Sequence, residues 1–225
     1  MNDLTGVPFF CSWSGGKDSC LALFNAIGTG GLPRCLLTMC IEDGSRTRSH
    51  GLAVDVIRAQ SESLNIPLIL KNTSWADYET NFVESLRHLK NHGIEHGVFG
   101  DIDIDPNREW EEKVCRQAGV FPHLPLWKRE RTGLLHEFMQ NGFKALIVAA
   151  NAEKLGEEFL GRMLDEPLID AFKEKGIDPS GEEGEYHTVV IDGPIFSKPL
   201  DLQFGGNVLR SGYWFKDFCL PERNS

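Results

Sequence analysis

Apolar positions in the first half of the chain come in two alternating patterns, short continuous runs and stripes at helical spacing. Val7-Pro8-Phe9-Phe10-Cys11 is the first run. Behind it Cys20, Leu23, Phe24 and Ile27 recur at i, i+3, i+4 and i+7, the period of a helix with one buried face. The alternation continues. Cys35 to Ile41, Pro67 to Leu70, His96 to Gly100 and His123 to Leu126 read as strands. Between them, stripes led by Ala53-Val56-Ile57-Leu64, Trp75-Tyr78-Phe82-Leu86-Leu89 and Trp110-Val114-Cys115-Ala118 read as helices. Five strands alternating with helices predict βαβ units and an α/β fold, a parallel five-stranded sheet with helices on both faces. Right-handed crossovers then put every strand C-terminus on one edge, where open sheets of this kind bind ligands. The turns at 14–19, 43–50 and 100–108 fall on that edge.

The pattern changes after residue 127. Leu134, Leu135, Phe138 and Met139 fit one more helix, and Ala145 to Ala149 a buried strand. Residues 153–175 read as a long helix, 176–181 as a turn, Tyr186 to Asp192 as a strand, and Val208 to Phe218 as a returning strand. This half predicts a smaller α+β domain, giving one domain over 1–127 and a second over 128–225.

Ser14-Gly15-Gly16-Lys17-Asp18-Ser19 joins the first strand to its helix. Successive backbone N–H groups converge there at the positive end of a helix, a site suited to phosphate. Gly15 and Gly16 let an anion approach the backbone, Lys17 brings a mobile positive charge, and Ser14 and Ser19 bring hydroxyls. The G-x-x-x-x-G-K-[ST] turn is excluded, because Cys11 stands where its first glycine belongs and Asp18 follows the lysine. A chance Gly-Gly-Lys turn is the plain alternative. A second stretch, Gly181-Glu-Glu-Gly-Glu-Tyr-His-Thr188, places three carboxylates in four residues ahead of a strand. Like charges this close face water, or meet a cation, a donor array or a proton.

The turn resembles the PP-loop of the N-type ATP pyrophosphatases. Joined to GEEGEYHT, it resembles the diphthine–ammonia ligase family within that superfamily. Gly100-Asp101-Ile102, Arg108-x-Trp110, Val114-Cys115, Pro125-Leu126-Trp127 and Asp192-Gly193-Pro194 follow the family pattern in order. Ser180 and Glu183 depart from it, standing where many members carry Cys and Asn. The opening Trp13-Ser14-Gly15-Gly16-Lys17 leans toward a bacterial relative.

The resemblance implies a HUP-like ATP-binding domain over 1–127, a domain for the acceptor over 128–225, and an ATP-dependent amidation. A carboxylate would be adenylated with release of pyrophosphate, and ammonia would displace AMP. Ser14, Gly15, Gly16, Lys17, Asp18 and Ser19 would hold ATP, with Met39 at the adenine through its backbone and Asp101 and Arg108 as further contacts. Asp101 and Arg108 have plainer readings as a turn aspartate and a solvated helix opener. Lys17, Glu182, Glu185 and His187 would carry the chemistry, the last three by orienting ammonia or taking its proton. Asp18 is a candidate ligand for Mg²⁺ and equally a helix N-cap. The acceptor would be diphthine on elongation factor 2, or another carboxylate, on a small molecule, if the source is bacterial. A tRNA-modifying PP-loop enzyme and a non-catalytic ATP or AMP sensor are the alternatives. His50, in Arg46-Thr-Arg-Ser-His50, is either a phosphate or substrate contact or part of a surface loop. The other histidines (88, 92, 96, 123 and 136) have no ligand spacing.

Composition narrows this picture only slightly. Of 225 residues 41% are hydrophobic and 25% charged, ordinary globular usage that can supply a core. The net charge of −10 argues against gripping long nucleic acid, which needs a basic face. Six cysteines without a C-x-x-C pair read as reduced thiols. No signal-peptide pattern and no membrane-length apolar run is visible, so a cytoplasmic protein is expected.

Overall fold

A computed structural model of the chain describes residues 4–221. They fall into two compact units, one of residues 4–14, 18–49 and 65–129, the other of 15–17, 50–64 and 130–221.

The first unit is built on five parallel strands, β1 (Pro8–Ser12), β2 (Leu32–Cys40), β3 (Leu68–Asn72), β4 (His96–Val98) and β5 (Phe121–His123), in the order β3-β2-β1-β4-β5. Alternation along β1 sends neighbouring side chains to opposite faces of the sheet. Phe10 joins Leu37 and Met39 in a buried cluster with Phe82, Val83, Leu86 and Leu89 of α3 (Tyr78–Asn91) and Val114, Cys115 and Ala118 of α4 (Asp105–Ala118). Cys11 points the other way, and its thiol donates to the Ser19 carbonyl of α1 (Lys17–Gly28) at 3.7 Å. Helices therefore cover both faces, as the periodicity predicts.

Two expectations shift here. The fifth strand is Phe121–His123, earlier than the expected His123 to Leu126, and it contains Pro122. An edge strand tolerates a residue with no N–H to donate, whereas Leu126 is buried in the turn that follows. Trp75 lies ahead of α3 and is 69% exposed, so it is not part of that helix's buried stripe. Its ring lies 5.1 Å from the Arg48 guanidinium.

The second unit carries a smaller antiparallel sheet in the order β7-β6-β9-β8, from β6 (Lys144–Asn151), β7 (Tyr186–Asp192), β8 (Gln203–Arg210) and β9 (Tyr213–Cys219). α2 (Val54–Leu64), α5 (Arg131–Gln140) and α6 (Glu166–Glu174) belong to it. The expected helix over 153–175 reduces to a 3₁₀ turn, Glu157–Phe159, and the short α6. Between them the backbone runs along β6. Ile147 N–H donates to Arg162 O, Gly161 N–H to Ile147 O and Leu164 N–H to Ala145 O. Pro167 then sits in the first turn of α6, and the Asp165 carboxylate caps it by accepting from Leu168 N–H at 3.0 Å. The single strand expected at Val208–Phe218 is also corrected. It is a hairpin turning at Ser211-Gly212, with φ of 50° and 81°. Two central residues with positive φ make the tight turn whose twist matches the strands.

All six cysteines are free, five of them buried. Among the described residues, no helix is long and apolar enough to cross a membrane.

Candidate functional site

The turn after β1 is anchored from residues far along the chain. Gly15 O accepts from Val190 N–H of β7 at 2.9 Å and from the Gln60 amide of α2 at 2.9 Å. The same amide nitrogen reaches Val190 O at 2.7 Å, so a fully buried glutamine bridges turn and strand. Lys17 N–H donates to Thr188 Oγ1 at 3.0 Å, 171 residues along the chain. This contact density dictates the glycines. Gly15 has φ +83°, and a Cβ there would lie 2.7 Å from Ile57 and 2.8 Å from Gln60. A Cβ on Gly16 would lie 2.4 Å from the His50 ring.

Lys17 is only 6% exposed. Its ammonium lies 3.7 Å from a Glu182 carboxylate oxygen and 5.8 Å from the Tyr186 ring centre. The three clustered carboxylates are each matched by a cation. Glu182 meets Lys17, Glu183 lies 4.0 Å from Arg131, and Glu185 accepts from Lys154 Nζ at 2.8 Å. Like-charge repulsion in the turn is thus offset one carboxylate at a time. Glu185, 2% exposed, also accepts from Glu183 N–H at 3.0 Å. Further bonds brace the turn: Tyr186 OH to Pro179 O, Tyr213 OH to Gly184 O, and Ser180 Oγ to the Asp178 carboxylate. The acidic stretch is a folded platform rather than a solvated loop.

His187 stacks on His50, ring centres 4.6 Å apart and planes 20° from parallel. His50 Nδ1 lies 3.1 Å from Thr188 O, which only accepts, so Nδ1 carries the proton and a neutral ring keeps its lone pair on Nε2. Loss of surrounding water, reinforced by the nearby Lys17 charge, brings His187 down to about 4. His50 is held well below the ordinary imidazole range by the same loss of water, then by His187 and Lys17, against the opposing pull of the Thr188 bond. Both rings are neutral at pH 7.

The remaining expected residues lie in the first unit. Ser14 Oγ and Ser19 Oγ are 3.1 Å apart, and Asp18 is in the first turn of α1. Gly100 abuts that turn so closely that a Cβ would lie 2.7 Å from Ser19 N, which seats Asp101 beside the start of α1. Asp101 accepts from Asn107 Nδ2 at 2.8 Å. One helical turn beyond, Glu111 is 4% exposed. Burial, with the Asp101 carboxylate beside it, pushes its carboxyl up to about 11, so it is protonated at neutral pH. Arg108 pairs with Glu112 at 2.6 Å and stacks over Trp127 at 5.1 Å. Together with His123 these line a cavity of about 450 Å³. Met39 is core, and its carbonyl accepts from Arg48 N–H at 2.9 Å.

Lys17, Glu182 and His187 are therefore brought together around β7, while Glu185 is engaged with Lys154. Gln60, Thr188 and Glu111 are not among the residues the sequence singles out, and His50, read there as either a phosphate or substrate contact or part of a surface loop, packs against Gly16 and stacks on His187. For Thr188 a signal existed, since it closes the GEEGEYHT stretch. Gln60 and Glu111 give none, being polar residues within ordinary helices. Among the described residues no three His, Cys, Asp or Glu side chains converge as a metal site. A single carboxylate such as Asp18 suits Mg²⁺ that keeps phosphate oxygens and water as its other ligands.

Comparison with known proteins covers nearly the whole chain. A family model described as the diphthamide synthase N-terminal domain matches residues 9–122, and one for the C-terminal domain matches residues 130–224. A Schizosaccharomyces pombe protein named diphthine–ammonia ligase is 30% identical over 211 residues, 84% of this chain and 35% of that protein. The chain thus spans about a third of that relative. Rat and human proteins of the same name are each 28% identical over 227 residues, 88% of this chain and 84% of theirs. Among solved structures, one described as a predicted subunit of tRNA methyltransferase from Methanocaldococcus jannaschii is a loose likeness, with TM-score 0.45 and 15% identity over 83% of this chain and 98% of that one.

Proposed function

The chain belongs to the diphthamide synthase family, and from that premise we propose that it is an ATP-dependent amide ligase that forms AMP and pyrophosphate. The observation that carries this reading is the anchoring of Gly15–Lys17 on β7, with the Lys17 ammonium buried beside Glu182 and the two imidazoles. In it, the backbone N–H groups of the turn and the Lys17 ammonium hold the β- and γ-phosphates of ATP. This leaves the α-phosphate to be attacked by an acceptor carboxylate, and pyrophosphate departs. Asp18, with phosphate oxygens, would hold Mg²⁺, which supplies charge neutralisation on the leaving group.

Ammonia then attacks the acyl carbon and AMP leaves. Glu182 and the neutral His187 are acceptors for the N–H groups of the incoming ammonia. Glu185 acts through the fold, fixing the acidic turn by its bonds to Lys154 and Glu183. The acceptor is a diphthine-type carboxylate on a protein, or a carboxylate on a small molecule.

The test is product analysis with ATP, ammonium and a panel of carboxylates that includes diphthine-bearing elongation factor 2. AMP, pyrophosphate and an amide are expected. ADP and phosphate in their place would falsify the reading. Lys17→Ala should weaken ATP binding by about 10- to 100-fold, the loss of one charge-assisted contact, measured by calorimetry.

A further inference from the structure

His187 serves the ligation chemistry by itself, and its stack on His50 places the pair for a second task. His50 packs against Gly16 in the middle of the phosphate turn, and His187 lies in the strand that anchors Lys17. We propose that His50 and His187 form a proton-accepting wall of the phosphate site, so that binding of a nucleoside triphosphate takes up a proton from solution. This inference rests on the phosphates lying at the turn, as in the reading above.

The argument is electrostatic. The groups facing the pair are Lys17 from the turn, the Thr188 carbonyl of β7, and Tyr213 of β9, whose ring stacks on His187 at 6.0 Å. Glu182 lies against the same lysine. The only full positive charge among these is Lys17, and it works with the loss of water to keep both rings neutral. A polyphosphate reverses the sign of the local field. Its charge offsets that of Lys17 and stabilises an imidazolium beside it. His50 already spends Nδ1–H on Thr188 O, and its Nε2 makes no hydrogen bond among the described residues, so Nε2 is the atom that gains the proton. Stacked imidazolium rings repel, so the pair takes up one proton rather than two. No bond to the nucleotide forms or breaks in this step; a proton passes from buffer to Nε2.

The experiment is calorimetry of Mg²⁺ with α,β-methylene-ATP, whose blocked bond prevents turnover, at pH 7.5 in buffers of different ionisation enthalpy. The wild-type chain should take up close to one proton per nucleotide, and affinity should fall by up to about tenfold per pH unit above neutrality. His50→Asn keeps a donor for Thr188 O and should bind with little or no uptake and a flattened pH dependence. Imidazole ¹⁵N shifts of the labelled wild-type chain provide a readout independent of any variant. They should report Nε2 protonation on adding the analogue. Tight, Lys17-dependent binding without proton uptake or shift change overturns this inference and leaves the proposed function standing. Absence of binding, or binding that Lys17→Ala leaves intact, overturns both.

Discussion

Gln60 illustrates how one buried polar side chain ties distant parts of the sequence together. Its amide serves two backbone carbonyls, Gly15 O and Val190 O. Gln60→Leu would remove one donor from each carbonyl, Gly15 O keeping its bond from Val190 N–H, in a place water does not reach. We expect a loss of about 2 kcal/mol of stability in urea unfolding, together with weaker nucleotide binding. Glu111 makes the opposite kind of prediction. Its carboxyl stays protonated up to about 11 in the folded chain, while the unfolded chain ionises near the ordinary 4.5. Between those values the folded state holds a proton that the unfolded state has lost, so stability falls as pH rises. Glu111→Gln cannot ionise. Its advantage over wild type should grow by about 1.4 kcal/mol for each pH unit above about pH 4.5 and should vanish toward pH 4. An advantage independent of pH would mean that Glu111 is not a proton-holding acid. Neither residue is marked in the sequence, because a polar letter in a helix looks the same whether its partner is water or a carbonyl far along the chain.

At the scale of elements, legibility follows burial. The stripes of α3 and α4 could be read because one face of each is packed against the sheet, so that Phe82, Leu86, Val114 and Cys115 recur at helical spacing. The hairpin of β8 and β9 could not, because every residue of β8 is exposed and no inward–outward alternation is imposed on it. Its turn did carry a local signal in Ser211-Gly212. Gly212, with φ +81°, should resist substitution. Gly212→Ala is expected to cost about 1–2 kcal/mol in chemical denaturation, the price of a left-handed conformation for a residue with a Cβ. The stretch 153–175 misled for a related reason. Its leucines and phenylalanines have helical spacing, yet residues 161–164 bond to β6, and Pro167 starts the helix afresh.

For the whole molecule, the charge of −10 predicts that tRNA is not retained at about 150 mM salt, where exposed charges are screened beyond roughly 8 Å. Retention on a filter at that ionic strength would favour an RNA-modifying enzyme instead. The sequence by itself determined the parallel five-stranded architecture, through strand and helix periods that burial imposes locally. It also determined the family, through a Gly-Gly-Lys turn and an acidic, glycine-flanked stretch carried by one chain. The tertiary structure alone decided how those motifs are joined. Residues 15–17 bond to Thr188 and Val190, the three glutamates of the acidic turn each find a separate cation, and His50 stacks on His187. Such pairings depend on distances across the fold. Neither hydrophobic period nor motif spacing encodes them, because both describe neighbours along the chain and not neighbours in space.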